Sequence, residues 1–150
     1  ISVIKSDSII NCAKDSGFYY KTTGVWHKKN PIPRNRNLHF LNSIEPWIYF
    51  INDGTTGTFN NDGKPIHDFI ETSTISVSEH KQGNHPTQKP VKLLSHFINL
   101  LSNENDVVLD PFMGAGSTGV ACAQLHRQFI GIDVNEEYVQ TSIKRIGNEL

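Results

Sequence analysis

Three glycines, Gly114, Gly116 and Gly119, stand in a G-x-G-x-x-G array between a short apolar run and a stretch able to form a helix. Glycine at such positions lets the backbone turn sharply and approach a bound group closely. Asp133 ends the next apolar run, residues 129–132. A carboxylate at the tip of the strand after a glycine loop can accept both hydroxyls of a ribose, so these residues suit a nucleoside. Lys89 stands beside the start of another helical stretch, where an ammonium can pair with a ligand carboxylate; an exposed lysine is the bland alternative. A further group is basic. Residues 21–36 hold Lys21, Lys28, Lys29, Arg34 and Arg36 with no acid among them, whereas residues 93–150 hold three basic and seven acidic side chains. Such a run can face phosphates, or it can be a solvated loop.

Positioning the glycine array requires a βαβ unit. Val107, Val108 and Leu109 suit a strand buried on both faces. Ser117 and Thr118 stand where a helix begins, and that helix runs through Val120, Ala121, Ala123 and Leu125. Residues 129–132 form the second strand. Upstream, residues 1–4 read as the end of a strand and residues 8–14 as a short helix with Ile9, Ile10 and Ala13 inward, closed by Gly17. Residues 18–27 and 47–51 read as an antiparallel strand pair, joined by a proline-bearing loop with no helical pattern. Residues 52–84 carry turn chemistry and little periodicity, with one short strand expected at 73–78. Val91, Leu94, Phe97, Ile98 and Leu101 recur at helical spacing over residues 91–101. A last helix is expected over residues 136–150, with Tyr138, Val139, Ile143 and Ile146 inward. This gives three parts: residues 1–51, an insertion or recognition segment at 52–84, and a ligand-binding part at 85–150.

A chain of 150 residues can bury a real core, and its net charge of −1 argues neither for nor against nucleic acid. It begins with Ile1 and its single Met is Met113, so it reads as part of a longer protein. Two distant cysteines, Cys12 and Cys122, fit a reducing cytoplasm better than secretion. No apolar run approaches the ~20 residues of a membrane span. No metal site is expected, because His80 and His85 have no familiar ligand spacing.

HPTQKP, a helix, then DPFMGAGSTGVA and FIGIDVNEEY together resemble the signature of amino-methylating DNA methyltransferases that use S-adenosylmethionine. The match is to the permuted (beta) group, whose cofactor loop lies near the C-terminus. GFYYKTTGVWHKKNPIPRN with LNSIEPWIYF also resembles this group, so the resemblance spans most of the chain except residues 52–84. It implies an α/β, Rossmann-like methyltransferase fold, mostly parallel with one antiparallel pair and incomplete in this chain. It assigns Asp110, Phe112, Gly114, Gly116 and Ser117 to the methionine and adenosine cradle and Asp133 to the ribose. His85, Pro86, Thr87 and Lys89 would pack over the methionine end.

The family does its chemistry with a [DNS]-P-P-[YFW] tetrapeptide, and these 150 residues contain none. In the permuted order it belongs upstream of Ile1, so the catalytic residues are unknown here and a companion chain carrying them is expected. The resemblance implies methyl transfer to the N6 amine of a flipped adenine in double-stranded DNA, as in restriction-modification, with cytosine N4 as the alternative. Lys28, Lys29, Arg34 and Arg36 would hold phosphates, and Trp26 and His27 would line the base pocket, unless Trp26 is plain core. Two other readings are a non-catalytic split or remnant subunit and an NAD-dependent oxidoreductase domain.

Overall fold

The computed structural model describes residues 5–31, 40–52, 54–83 and 85–149. The expected strand end at residues 1–4, and Arg34 and Arg36, lie outside the described residues. The chain divides into two compact units, Ile1–Gly57 with Gly63–Ser73, and Thr58–Asp62 with Thr74–Leu150.

In the first unit, helix α1 (Ser6–Asp15) leaves Ile9, Ile10 and Ala13 half-buried and gives way to Gly17 at φ +84. Strand β1 (Phe18–Lys28) pairs antiparallel with β2 (Ile44–Asn52), from Phe18 opposite Asn52 to His27 opposite Ile44. The other edge of β1 carries β3 (Phe69–Thr72) in parallel, from Val25 opposite Phe69 to Lys28 opposite Thr72. Gly24 allows this packing, since a Cβ there would strike the Trp47 ring and the Asp68 carbonyl. Trp26 is buried, and its indole N–H donates to Thr72 Oγ1 at 2.8 Å. The strand expected at 73–78 is therefore corrected: pairing stops at Thr72, and the next element is a helix, α2 (Val77–Gly83). Ser76 starts that helix through a reciprocal cap, its Oγ accepting from the Glu79 N–H at 3.1 Å while Glu79 Oε2 accepts from the Ser76 N–H at 3.2 Å.

In the second unit, α3 (Val91–Leu101) has the expected bounds and buries Leu93 and Ile98. Each such side chain stabilises the core by roughly 1.5–3 kcal/mol. Ile98 packs with Ala121 and Cys122 of α4 (Ser117–Gln124), against Val108 and Phe129. Strands β4 (Val107–Asp110) and β5 (Gln128–Gly131) pair in parallel, Val107 opposite Gln128 and Asp110 opposite Gly131. Burial of β4 on both faces is not observed: Val108 is half-buried, but Val107 and Leu109 are 56% and 59% exposed. Helices cover one face of this two-stranded sheet, so alternate residues of both strands point outward. Asn60 ties Thr58–Asp62 to the end of α3, its N–H donating to the Leu100 carbonyl and its amide to the Ser102 carbonyl at 2.8 Å.

Helix α5 (Glu136–Gly147) is capped by Asn135, whose side chain accepts from the Glu137 N–H, a contact worth about 1 kcal/mol. Its buried face differs from the apolar stripe expected. Ser142 and Arg145 are the buried residues, while Ile143 is 59% exposed. Among the described residues no helix is long and apolar enough to cross a membrane, and no group of three or more His, Cys, Asp or Glu side chains could hold a metal ion.

Candidate functional site

The loop between β4 and α4 folds because its glycines go where side chains cannot. Gly114 and Gly116 have φ of +49 and +75, and the Gly116 N–H donates to the Met113 carbonyl at 2.8 Å, closing a tight turn. A Cβ on Gly116 would collide with Ser142 of α5, and one on Gly119 with Phe129 and Ile146. Gly116 and Gly119 thus let the loop and α4 pack closely on their neighbours. Gly114 serves a different contact: the His85 ring sits over it, 3.3 Å from where a Cβ would be.

Asp110 holds both ends of the loop. Its Oδ1 accepts from the Phe112 N–H at 3.0 Å and its Oδ2 from the Thr118 hydroxyl at 2.6 Å. Asp133, past the end of β5, ties the loop to its own turn, accepting from the Gly114 N–H at 2.9 Å and the Asn135 N–H at 2.9 Å. The Asn135 N–H leads the backbone donors that hold its carboxyl below the ordinary 3.8, so it is ionised at neutral pH. Two carboxylate oxygens offer about four lone-pair sites, which leaves capacity for further donors.

The HPTQKP stretch folds against this loop. His85 Nδ1 accepts from the Thr87 N–H at 3.2 Å, which assigns the proton of the neutral ring to Nε2. The ring stands edge-on to Tyr138 at 4.4 Å between centroids. Gln88 Nε2 donates to the Glu79 carbonyl, and Glu79 Oε1 accepts from the Val91 N–H at 3.0 Å, capping α3. His85, Thr87, Lys89, Asp110, Phe112, Gly114 and Ser117 together line one cavity of about 240 Å³. Gln88, Leu94, Met113, Ala115 and Thr118 line it too. Three residues named from the resemblance are not in its wall: Pro86, Gly116, which is buried against Ser142, and Asp133, which touches the loop through Gly114. Phe112 is 88% exposed at the rim.

Support for the loop comes from residues that the sequence pattern did not single out. Arg145, 5% exposed, donates through one guanidinium nitrogen to the Ala115 carbonyl and, at 3.4 Å, to the Ser117 hydroxyl. Burial draws its pKa below the usual guanidinium range, while Glu79 and Glu149 oppose the shift. Ser142 Oγ approaches Met113 Sδ at 3.4 Å. A polar residue spaced among Val139, Ser142 and Ile146 on one helix face was the available signal for Arg145.

The basic stretch is less open than its sequence implies. Lys28 Nζ lies 2.6 Å from Glu45 of β2, and Lys29 Nζ and His27 Nδ1 lie 3.0 and 2.9 Å from the two oxygens of Glu71 on β3. Lys29, then His27, holds the Glu71 carboxyl below its usual range. The run free of acids in sequence is therefore supplied with them in space. Trp26 takes the core alternative, because a buried indole bonded to Thr72 has no face left for a base.

Comparison with known proteins accounts for these stretches together. A family model described as DNA methylase, of the N6 and N4 type, matches residues 3–144. The chain is similar to the type II methyltransferase M2.LlaDCHI of Lactococcus lactis subsp. cremoris, with 37% identity over 142 residues, covering 89% of this chain and 53% of that protein. Type II methyltransferase M2.DpnII of Streptococcus pneumoniae is 36% identical over 145 residues, covering 91% and 54%. The chain thus spans about half the length of the curated relatives it matches. Among solved structures, the M1.HpyAVI complex with S-adenosylmethionine superposes with a TM-score of 0.85 at 35% identity, covering 97% of this chain and 71% of that one. The cytosine-N4-specific PvuII methyltransferase shares the fold at 20% identity, with a TM-score of 0.75 over 96% of this chain and 57% of that one. The α/β methyltransferase fold expected from the sequence is the fold found.

Proposed function

The chain belongs to the N6/N4 DNA methylase family, and from that premise we propose that its second unit binds S-adenosylmethionine for methyl transfer to the exocyclic amine of a base in DNA. The observation that carries this reading is the cavity shared by residues 85–89 and residues 110–118, two stretches with no local reason to meet. Its donor set fits the ligand. Lys89 supplies an ammonium for a carboxylate and Thr87 and Ser117 supply hydroxyls; outside the wall, the ionised Asp133, bonded to the Gly114 N–H, keeps acceptor capacity for two ribose hydroxyls. Family membership displaces the nicotinamide reading, which has no use for HPTQKP.

The cofactor, when bound, supplies a methyl group already activated by an adjacent positive sulfur. The work left to these residues is to bind and to orient. Asp110 and Asp133 fix the loop on both flanks, and His85, with Tyr138 against its ring, covers Gly114. Positioning of this kind can supply much of a rate enhancement when the donor needs no further activation. The target amine lies inside a stacked duplex, so the base must be extruded at a cost of a few kcal/mol.

The favoured target is adenine N6, on the likeness of the stretch from Trp26 onward, WHKKNPIPR, to that branch of the family; cytosine N4 is the second reading. Lys29, at 56% exposure the most open of the described basic residues of this stretch, is assigned to phosphate contact together with Arg34 and Arg36. Residues 52–84 would supply part of the base readout. The tetrapeptide that orients the amine is not in these 150 residues, and a companion segment or chain would supply it. Calorimetry with S-adenosylmethionine tests the cofactor assignment, and mass spectrometry of DNA methylated by the complete protein separates N6-methyladenine from N4-methylcytosine. Absence of binding by the complete protein, or a methyl group on neither amine, sinks the reading.

A further inference from the structure

We propose that Arg145 is a positioning residue that holds the Ala115 carbonyl away from the cofactor cavity; this rests on the cofactor reading of that cavity. Arg145 lies in the last turn of α5, behind the loop, and does not line the cavity. Both of its hydrogen-bond acceptors, the Ala115 carbonyl and the Ser117 hydroxyl, belong to residues that do. Among the described residues no carboxylate lies within ion-pair distance of it, and its Nε has no partner. A guanidinium buried on those terms is costly to the fold, and an apolar side chain of similar volume would fill the space at less cost. What an apolar side chain cannot do is hold the peptide between Ala115 and Gly116 in one orientation. That peptide is held at two points, its N–H by the Met113 carbonyl and its carbonyl by Arg145, and a glycine at position 116 admits backbone orientations that a Cβ would bar. Released from Arg145, the Ala115 carbonyl can turn toward the cavity. Its partial negative charge would then face the place where a ligand carboxylate pairs with Lys89, and the two would repel.

The test measures cofactor affinity, DNA affinity and thermal stability in the complete protein for the parent, R145M and R145K. Loss of a charge-assisted bond that orients the loop should weaken S-adenosylmethionine binding by about tenfold or more in R145M. The affinity for DNA should not move, and Tm should change little, because Met fills the volume without a buried charge. R145K keeps a cation able to reach Ala115 and should recover affinity to within about threefold of the parent. A parent that binds while R145M binds equally well overturns the role of Arg145 and leaves the cofactor site standing. Equal losses in R145M and R145K together with a large fall in Tm also overturn it, in favour of a structural role. A parent that binds no cofactor overturns both. If R145M does not fold, amide exchange in the parent decides: cofactor should slow exchange at residues 142–146 along with residues 114–118, and slowing confined to the loop is the contrary result.

Discussion

The residues of the loop divide by what their backbone or charge does, and each division gives a measurable outcome. Gly116 combines a left-handed φ of +75 with contact against Ser142, so an added methyl group meets both a torsional and a steric penalty. Left-handed geometry alone costs a residue with a Cβ roughly 1–3 kcal/mol. Gly116→Ala should therefore lower Tm and weaken cofactor binding together, and S142G should recover part of the loss by removing the collision. Calorimetry and thermal melts giving parent values would contradict the loop geometry. Asp133 makes its contribution through charge. Its carboxyl is held below 3.8, first by the Asn135 N–H, so the folded state keeps it ionised where the unfolded chain begins to protonate. The sign follows: stability from this group is complete above the unfolded value and is lost as pH falls through the lower folded one. Asp133→Asn should flatten the acid limb of the stability profile below about pH 4. It should also weaken S-adenosylmethionine binding at neutral pH by about tenfold, since charged acceptors of ribose hydroxyls become neutral ones. An acid limb and an affinity that both match the parent would remove Asp133 from the site.

At the scale of the elements, what could be read from the sequence depended on how local the cause was. α3 was legible to its last residue because its apolar side chains recur at helical spacing and Pro90 starts it. The antiparallel β1 and β2 were legible from their aromatic and β-branched content, and the loop from its glycines. β3 was not, because four residues hold too few alternations to show a period and their pairing partner, β1, lies more than forty positions away. α2 did leave a signal, the capping box Ser76-Val77-Ser78-Glu79, hidden in a Ser/Thr-rich run that reads as turn or strand. α5 was legible as a helix but not in its buried face, since Ser142 and Arg145 are turned inward by contacts with the distant loop. The basic stretch shows the same limit, because Glu45 and Glu71 reach it only through strand pairing. That geometry separates two lysines that the sequence makes equivalent. Each neutralised phosphate adds about −0.9 to the slope of log affinity against log salt, so Lys29→Ala should flatten the slope by nearly one unit. Lys28, 14% exposed and paired with Glu45, should change it by much less. Equal effects from the two substitutions, or none from Lys29→Ala, would return this stretch to a solvated loop.

The chain carries the cavity assigned above to the cofactor and no [DNS]-P-P-[YFW] tetrapeptide, and the two together predict different behaviour in two assays of the isolated 150 residues. Every cavity residue from His85 to Thr118 lies within the second unit, so cofactor affinity should survive in isolation. Methylation should not. The geometry that aims an amine lone pair at the methyl group depends on acceptors that these residues do not contain, and orientation accounts for several kcal/mol of a transfer barrier, enough to remove measurable turnover. The sheet predicts a physical weakness as well. Val107, Leu109, Ile130 and Ile132 are each more than half exposed, and they alternate with the residues that α3 and α4 cover, so they give β4 and β5 an apolar outer side. Apolar surface gathered in this way favours association, and the isolated chain should bind a hydrophobic dye and self-associate as its concentration rises. Adding a polypeptide that carries the family's tetrapeptide segment should reduce dye binding and restore transfer together, because the same segment would bring both covering surface and acceptors. Methylation by the 150 residues alone, at a rate comparable with the reconstituted mixture, would show that amine orientation comes from residues within this chain.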